Sequence, residues 1–172
     1  MAGIFSYKCV TCSKIHEGSP SYGFATPWHY DTLSGDQRSN AKLSEDVCLI
    51  EDTDHVDCFI RVCLEVPIIG VDQPFLWGVW ISVSVDSFER YHETWDHPVE
   101  TDEYFGWLCT KLPLYPDTLG LKTLAHPRSN GQRPTITLEA TDHPLSVDFR
   151  EGITIQQAQE MAEQLTHRIA SA

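Results

Sequence analysis

The chain is short of positive charge. Its 12 lysines and arginines stand against 25 aspartates and glutamates, a formal net charge of -13 over 172 residues. Proteins hold polyphosphate backbones largely through Lys and Arg contacts, so this balance argues against nucleic acid as a partner. A basic protein surface, a metal ion or plain solubility are its remaining meanings. Long apolar runs are missing as well: nothing approaches the roughly 20 residues that cross a bilayer, so no membrane association is expected. The stretch from Met1 to Cys9 lacks the basic start, apolar segment and small-residue cleavage site of a secretory signal, which points to the cytoplasm. No GxSxG, HExxH, GxGxxG or Walker-type loop is found, so no motif names a reaction. Internal repeats and low-complexity tracts are absent too, which removes solenoid and linker-rich architectures.

What is present suits one globular domain over residues 1–172, with five Trp, seven Phe and six Tyr to fill a core. Residues 1–20 read as an N-terminal arm and residues 19–26, rich in Ser, Gly and Pro, as a loop leaving it. In the polar stretch 31–41, Asp31 is placed to cap a short helix that Gly35 weakens. Residues 57–66 alternate, with Cys58, Ile60, Val62, Leu64 and Val66 on one face and Phe59, Arg61, Cys63 and Glu65 on the other. Residues 75–85 do the same, Phe75, Trp77, Val79 and Ile81 opposing Leu76, Gly78, Trp80 and Ser82. The pattern predicts an antiparallel pair, then a helix capped by Asp86 or Ser87 with Phe88, Tyr91 and Trp95 on its buried face. Further strands are expected over 104–112, 119–126 and 134–140. The end, 153–170, reads as an amphipathic helix capped by Thr154, with Ile155, Ala158, Met161, Ala162, Leu165 and Ile169 recurring every three or four residues. The predicted architecture is α+β: a mostly antiparallel sheet over 46–140 with one inserted helix, a few packed helices, and a metal knuckle in front.

The knuckle is Cys9-Val-Thr-Cys12 followed by His16. A tight turn lets two thiolates reach one ion with an imidazole nearby, and soft sulfur donors favour zinc. A redox dithiol and simple packing are the competing readings; no strand precedes the motif, which weighs against a thioredoxin-like site. For the fourth ligand Cys48, near a strand start, is preferred, with a bound water as the alternative if the site is catalytic. Cys58 and Cys63 point to opposite faces of one strand and cannot clamp an ion as a pair. Cys58 and Cys109 read as small buried hydrophobes. Arg61 and Glu65 mark either a pocket or a solvent-facing surface with an ion pair. Glu139, Asp142 and His143 have the residue types of an acid/base centre and equally those of a turn before Pro144.

Several blocks in a fixed order resemble a known family: Cys9-x-x-Cys12-x-x-x-His16-Glu17-Gly18, Cys63-Leu-Glu-Val-Pro67, Phe75-Leu-Trp-Gly-Val-Trp80, Tyr104-Phe-Gly-Trp107-Leu-Cys109, Tyr115-Pro-Asp-Thr-Leu119, Lys122-Thr and Thr141-Asp-His-Pro144. Together they resemble the bacterial family called domain of unknown function 2199. The resemblance implies a bacterial cytoplasmic protein and brings no activity with it. Ser13 stands where a glycine is expected after the second cysteine, and Ser19 where leucine is expected before Pro20. A glycine there would supply a positive φ angle to the knuckle turn.

Two functions of different class fit these features. The first is a non-catalytic binding protein with a structural zinc knuckle, whose Trp-rich sheet, with Trp28 and Trp80 as exposed candidates, holds a protein partner; a toxin-neutralising role suits an acidic bacterial protein. The alternative is a small metal-dependent enzyme, a hydrolase with Cys9, Cys12 and His16 leaving a water on the metal and Glu17 or His143 in a pocket beside it. A domain binding a small molecule at Arg61 and Glu65 is the third reading.

Overall fold

The computed structural model describes residues 5–169, apart from the Ile169 side chain; residues 1–4 of the expected arm and residue 170 of the expected last helix lie outside the described residues. The chain opens with a hairpin of β1 (Ser6–Lys8) and β2 (Ile15–Glu17). Then come β3 (Ser21–Gly23), two short helices α1 (Trp28–Asp31) and α2 (Gly35–Ser39), β4 (Lys42–Leu43) and β5 (Val47–Glu51). The central pair is β6 (Val56–Val66) and β7 (Phe75–Val83). They are followed by α3 (Val85–Glu93), β8 (Tyr104–Leu108), β9 (Lys122–His126), β10 (Thr135–Leu138), α4 (Pro144–Glu151) and α5 (Ile155–Ile169).

The α+β class is as expected, but the sheet closes on itself. Strands β6 to β10 pair antiparallel in sequence order, and β10 then returns beside β6 in parallel, Thr135 opposite Cys63. The Cys63 N–H donates to the Pro134 carbonyl at 2.8 Å to complete the ring. The result is a five-stranded barrel of mixed orientation: most of its contacts are antiparallel, as expected, but one parallel contact closes the sheet into a ring. Alternation along a strand reports which side chains face inward, not whether the last strand meets the first. Beyond the ring, β5 and β4 extend from the first half of β6, and β3 runs parallel to the first residues of β7.

Inward-facing Ile60, Val62 and Leu64 meet Trp77, Val79 and Ile81 in the barrel, all fully buried. Gly106 on β8 lets that strand lie tightly on β7, since a Cβ there would strike the Ser82 carbonyl oxygen. A second apolar cluster sits outside the barrel, where Cys48, Phe59, Trp80 and Cys109 pack with Phe24, Tyr30 and Ile50. Trp80, expected to be open to a partner, is therefore fully buried, and its indole N–H donates to the Phe24 carbonyl at 2.9 Å. Trp28 is half-buried beneath the Lys111 ammonium, 4.5 Å from its ring.

The helices depart from expectation mainly at their starts. Strand β7 stops at Val83, so Ser84 rather than Asp86 or Ser87 caps α3, accepting the Ser87 N–H. Asp31 ends α1; it is Ser34, in a reciprocal capping box with Gln37, that starts α2 at Gly35. The loop expected over 19–26 contains β3. Helix α4 was not expected; Asp142 and His143 before Pro144, residues that also suit a turn, lead into it, with His143 as the cap and proline in the first position. Helix α5 has the predicted cap: Thr154 Oγ1 accepts the Gln157 N–H and Gln157 Oε1 accepts the Thr154 N–H. Ala158, Ala162 and Leu165 form its buried stripe, whereas Ile155 is exposed. Hydrogen bonds of Ile153 with Pro67 and Ile69 pin the start of α5 to the end of β6. From there α5 runs past β3, where the Tyr22 hydroxyl donates to the Ala162 carbonyl at 3.0 Å, back to the N-terminal hairpin.

Candidate metal centre

The loop between β1 and β2 is a folded knuckle. The Cys9 N–H donates to the Lys14 carbonyl at 2.8 Å, and the Ser13 N–H donates to the Cys9 carbonyl at 2.9 Å. Ser13 adopts φ 59°, the left-handed geometry that a glycine was expected to supply. The Cys12 N–H lies 3.5 Å from Cys9 Sγ. His16, on β2, is opposite Tyr7 in register, and its ring stacks on that tyrosine with centroids 5.3 Å apart. This orients the imidazole so that Nε2 lies 3.3 Å from Cys12 Sγ.

The fourth member comes from the far end of the chain. His167, in the last turn of α5, places Nε2 at 2.9 Å from Cys9 Sγ. One helical turn earlier, Glu163 accepts the Val10 N–H at 2.8 Å, a second tie between the knuckle and α5. One donor atom each from Cys9, Cys12, His16 and His167 lies within 4.8 Å of all the others. Zinc–sulfur and zinc–nitrogen bonds of about 2.3 and 2.0 Å put neighbouring donors of a tetrahedral shell roughly 3.5 Å apart, so the cluster already has nearly the size of a coordination shell. Burial works to raise the Cys9 thiol, but hydrogen bonds from the Cys12 N–H and the His167 ring outweigh it and lower the thiol to about 6. The thiolate is the form that binds metals. Two soft sulfurs and two imidazoles are a donor set suited to zinc among the common divalent ions.

The structure thus brings together Cys9, Cys12 and His16 of the expected set and puts His167 where Cys48 was expected. Cys48 is fully buried in the second cluster, with Phe59 and Trp80, and burial pushes its thiol up to about 11. Nearness to the start of a strand in sequence gave no information about which side of the barrel that strand would cover. Cys58 and Cys109 are buried, as expected for small hydrophobes, and Cys63 is half-buried on the outer face of β6. His167 was missed because its contact with Cys9 spans 158 residues. Its one sequence signal was a position four residues after Glu163, beside the apolar stripe of an amphipathic helix.

The other candidates separate from this centre. Glu65 faces Arg128 at 3.7 Å on the surface, and Arg61 lies over the Trp80 ring and donates to the Glu45 carbonyl at 3.3 Å. Glu139 pairs with Lys122 at 3.5 Å. His143 caps α4: its Nδ1 accepts the Leu145 N–H at 3.1 Å and its Nε2 donates to the Asp117 carbonyl at 3.2 Å. With both ring nitrogens held by backbone, His143 has a structural task and stands outside the cluster. Exposed Glu17, in contrast, lines an open cleft of about 240 Å³ beside His16, together with Tyr22 and Thr166.

A barrel whose N-terminal knuckle and C-terminal helix meet in a four-donor Cys/His cluster defines a compact α+β protein with a candidate metal site. The chain belongs to the family described as uncharacterized protein conserved in bacteria (DUF2199), which matches residues 8–153. That span holds Cys9, Cys12 and His16 and stops before His167. No curated protein and no solved structure matches the chain. No helix of the described residues is long and apolar enough to cross a membrane.

Proposed function

We propose that this protein is a non-catalytic binding domain, working in the bacterial cytoplasm, whose knuckle and last helix are fastened together by one structural zinc ion on Cys9, Cys12, His16 and His167. The observation that carries this reading is the convergence of four protein donors, since structural zinc sites are closed by four residues and catalytic ones keep a position for water. The formal net charge of -13 and the absence of any reaction motif support a binding role. The hydrolase reading has one observation in its favour, the cleft holding Glu17 beside His16; against it stands the fourth donor, which takes the place of the catalytic water.

Elemental analysis of the untagged protein and of its Cys9→Ser, His167→Ala and Cys48→Ser variants tests the proposal. The expected result is about one zinc per chain, lost with Cys9→Ser, lost or loosely held with His167→Ala, and kept with Cys48→Ser, with thermal stability following metal content. Full zinc retention and unchanged stability in His167→Ala would mean an open coordination position and would return the enzyme to first place.

A further inference from the structure

Of the two tryptophans expected to face a partner, Trp80 is buried and Trp28 half-buried, yet a different aromatic pair is exposed. On β8, Tyr104, Gly106 and Leu108 point inward while Phe105 and Trp107 point out, 50% and 44% exposed. Their rings meet edge to face with centroids 5.2 Å apart. They border a groove of about 390 Å³ whose other walls include exposed Val56 and Val85 and whose polar rim includes Asp57 and Ser82. Burial of Tyr104 and Leu108 in the barrel, and the tight seat that Gly106 gives β8 on β7, fix the two outer rings on a rigid strand. Rigid aromatic side chains lose little freedom on binding, which is why they anchor interfaces.

The charge around the groove decides the occupant. Neither Lys nor Arg lines it; its one basic side chain, His55, is paired with Asp57 at 2.8 Å, and Lys122, opposite Trp107 on β9, is paired with Glu139 at 3.5 Å. The buried Cys58 thiol in its wall is raised by burial and then by the Asp57 and Glu89 carboxylates, so acidic groups of β6 and α3 stand close to the groove. The start of α3, whose peptide dipoles would favour an anion, carries Asp86 in its first turn. A second copy of this chain would bring another net charge of -13 to the contact, so like charge opposes self-association. We infer that the groove bounded by Val56, Val85, Phe105 and Trp107 is a docking surface for a basic protein segment that seats an apolar side chain against the two aromatic rings. This rests on the binding-domain reading and gives it a location and a partner chemistry.

The test is a titration of the zinc-checked, isotope-labelled protein, followed by NMR, with three short peptides: lysines flanking leucine and phenylalanine, the same peptide with glutamate for lysine, and the lysine peptide with serine for both apolar residues. Saturable shifts centred on Val85, Phe105 and the Trp107 indole are expected for the first peptide, with affinity about tenfold or more above the other two and falling as salt is added. Trp107→Ala and, independently, Phe105→Ser are each expected to weaken it about tenfold with zinc content unchanged and a cooperative melt retained, because both side chains are only half-buried. Binding that tracks charge alone, preference for the glutamate peptide, dimers formed through these residues, or no saturable shift at this groove up to millimolar peptide would each overturn the surface. Saturable binding mapped to another face would overturn the surface and leave the binding-domain reading standing. Metal results from the His167→Ala variant bear on that reading alone.

Discussion

Cys9 and Cys48 are 1% and 0% exposed, so by burial alone they are the same residue. Their chemistry is opposite. Around Cys48 the neighbours are Phe59, Trp80 and Cys109, the thiol is pushed up to about 11, and the sulfur behaves as a small hydrophobe. Around Cys9 a backbone N–H and an imidazole converge on the sulfur and hold the thiol down to about 6. What separates the two sulfurs is the supply of hydrogen-bond donors around Cys9 and the apolar enclosure of Cys48. The two clusters also differ in origin: one joins the knuckle to α5, the other fills the outer face of the barrel.

The largest effect that probes this contrast comes from Cys9→Ser. Its loss of zinc should cost about 4 kcal/mol when free metal in the wild-type sample is a thousandfold above Kd. Urea melts with and without chelator would check it, the chelator lowering wild-type stability and leaving the variant unmoved. Metal removal should also divide the cysteines chemically. With chelator present, an alkylating agent should label half-buried Cys12 first and Cys9 only as the knuckle opens, whereas Cys48 and Cys109 should react only in denaturant, as peptide mapping by mass spectrometry would show. A smaller change follows from Cys48→Ser, which puts a hydroxyl in an apolar pocket and should cost about 1–3 kcal/mol in the same melts while zinc content stays at the wild-type level. If Cys48→Ser instead stripped the metal, the separation of the two clusters would collapse. The smallest effect is Ser13→Gly. Glycine takes the left-handed geometry that Ser13 holds at φ 59° without steric cost, so the variant should gain about 0.5–1 kcal/mol, visible as a small rise in melting temperature.

Much of the barrel wall was legible in the sequence. Period-two alternation gave β6 and β7 and their antiparallel pairing, because one face of each strand is fully apolar. Closure was not legible, since it depends on one parallel contact between Thr135 and Cys63. The buried outer face was missed for a related reason: Phe59 and Trp80 alternate out of the barrel, and they are covered by Phe24, Tyr30, Cys48, Ile50 and Cys109, which lie far apart in sequence. At the metal centre, the three residues within one hairpin were readable from spacing alone. His167 was not, because α5 carries an ordinary amphipathic pattern and its return to the knuckle is set by the Ile153 hydrogen bonds and the Tyr22 hydroxyl. The replacement of Cys48 by His167 is thus a statement about topology, and local patterns carry none.

The contact between Cys9 and His167 has a mechanical meaning. With an ion in place, residues 158 apart become one joint, and the whole barrel lies inside the loop it closes. A force applied at residues 5 and 169 would then travel through the joint and past the barrel. The coordination bonds would bear that force first, and without the metal the load would pass to the hydrogen bonds of Val10 with Glu163 and of Tyr22 with Ala162 before it reached any barrel strand.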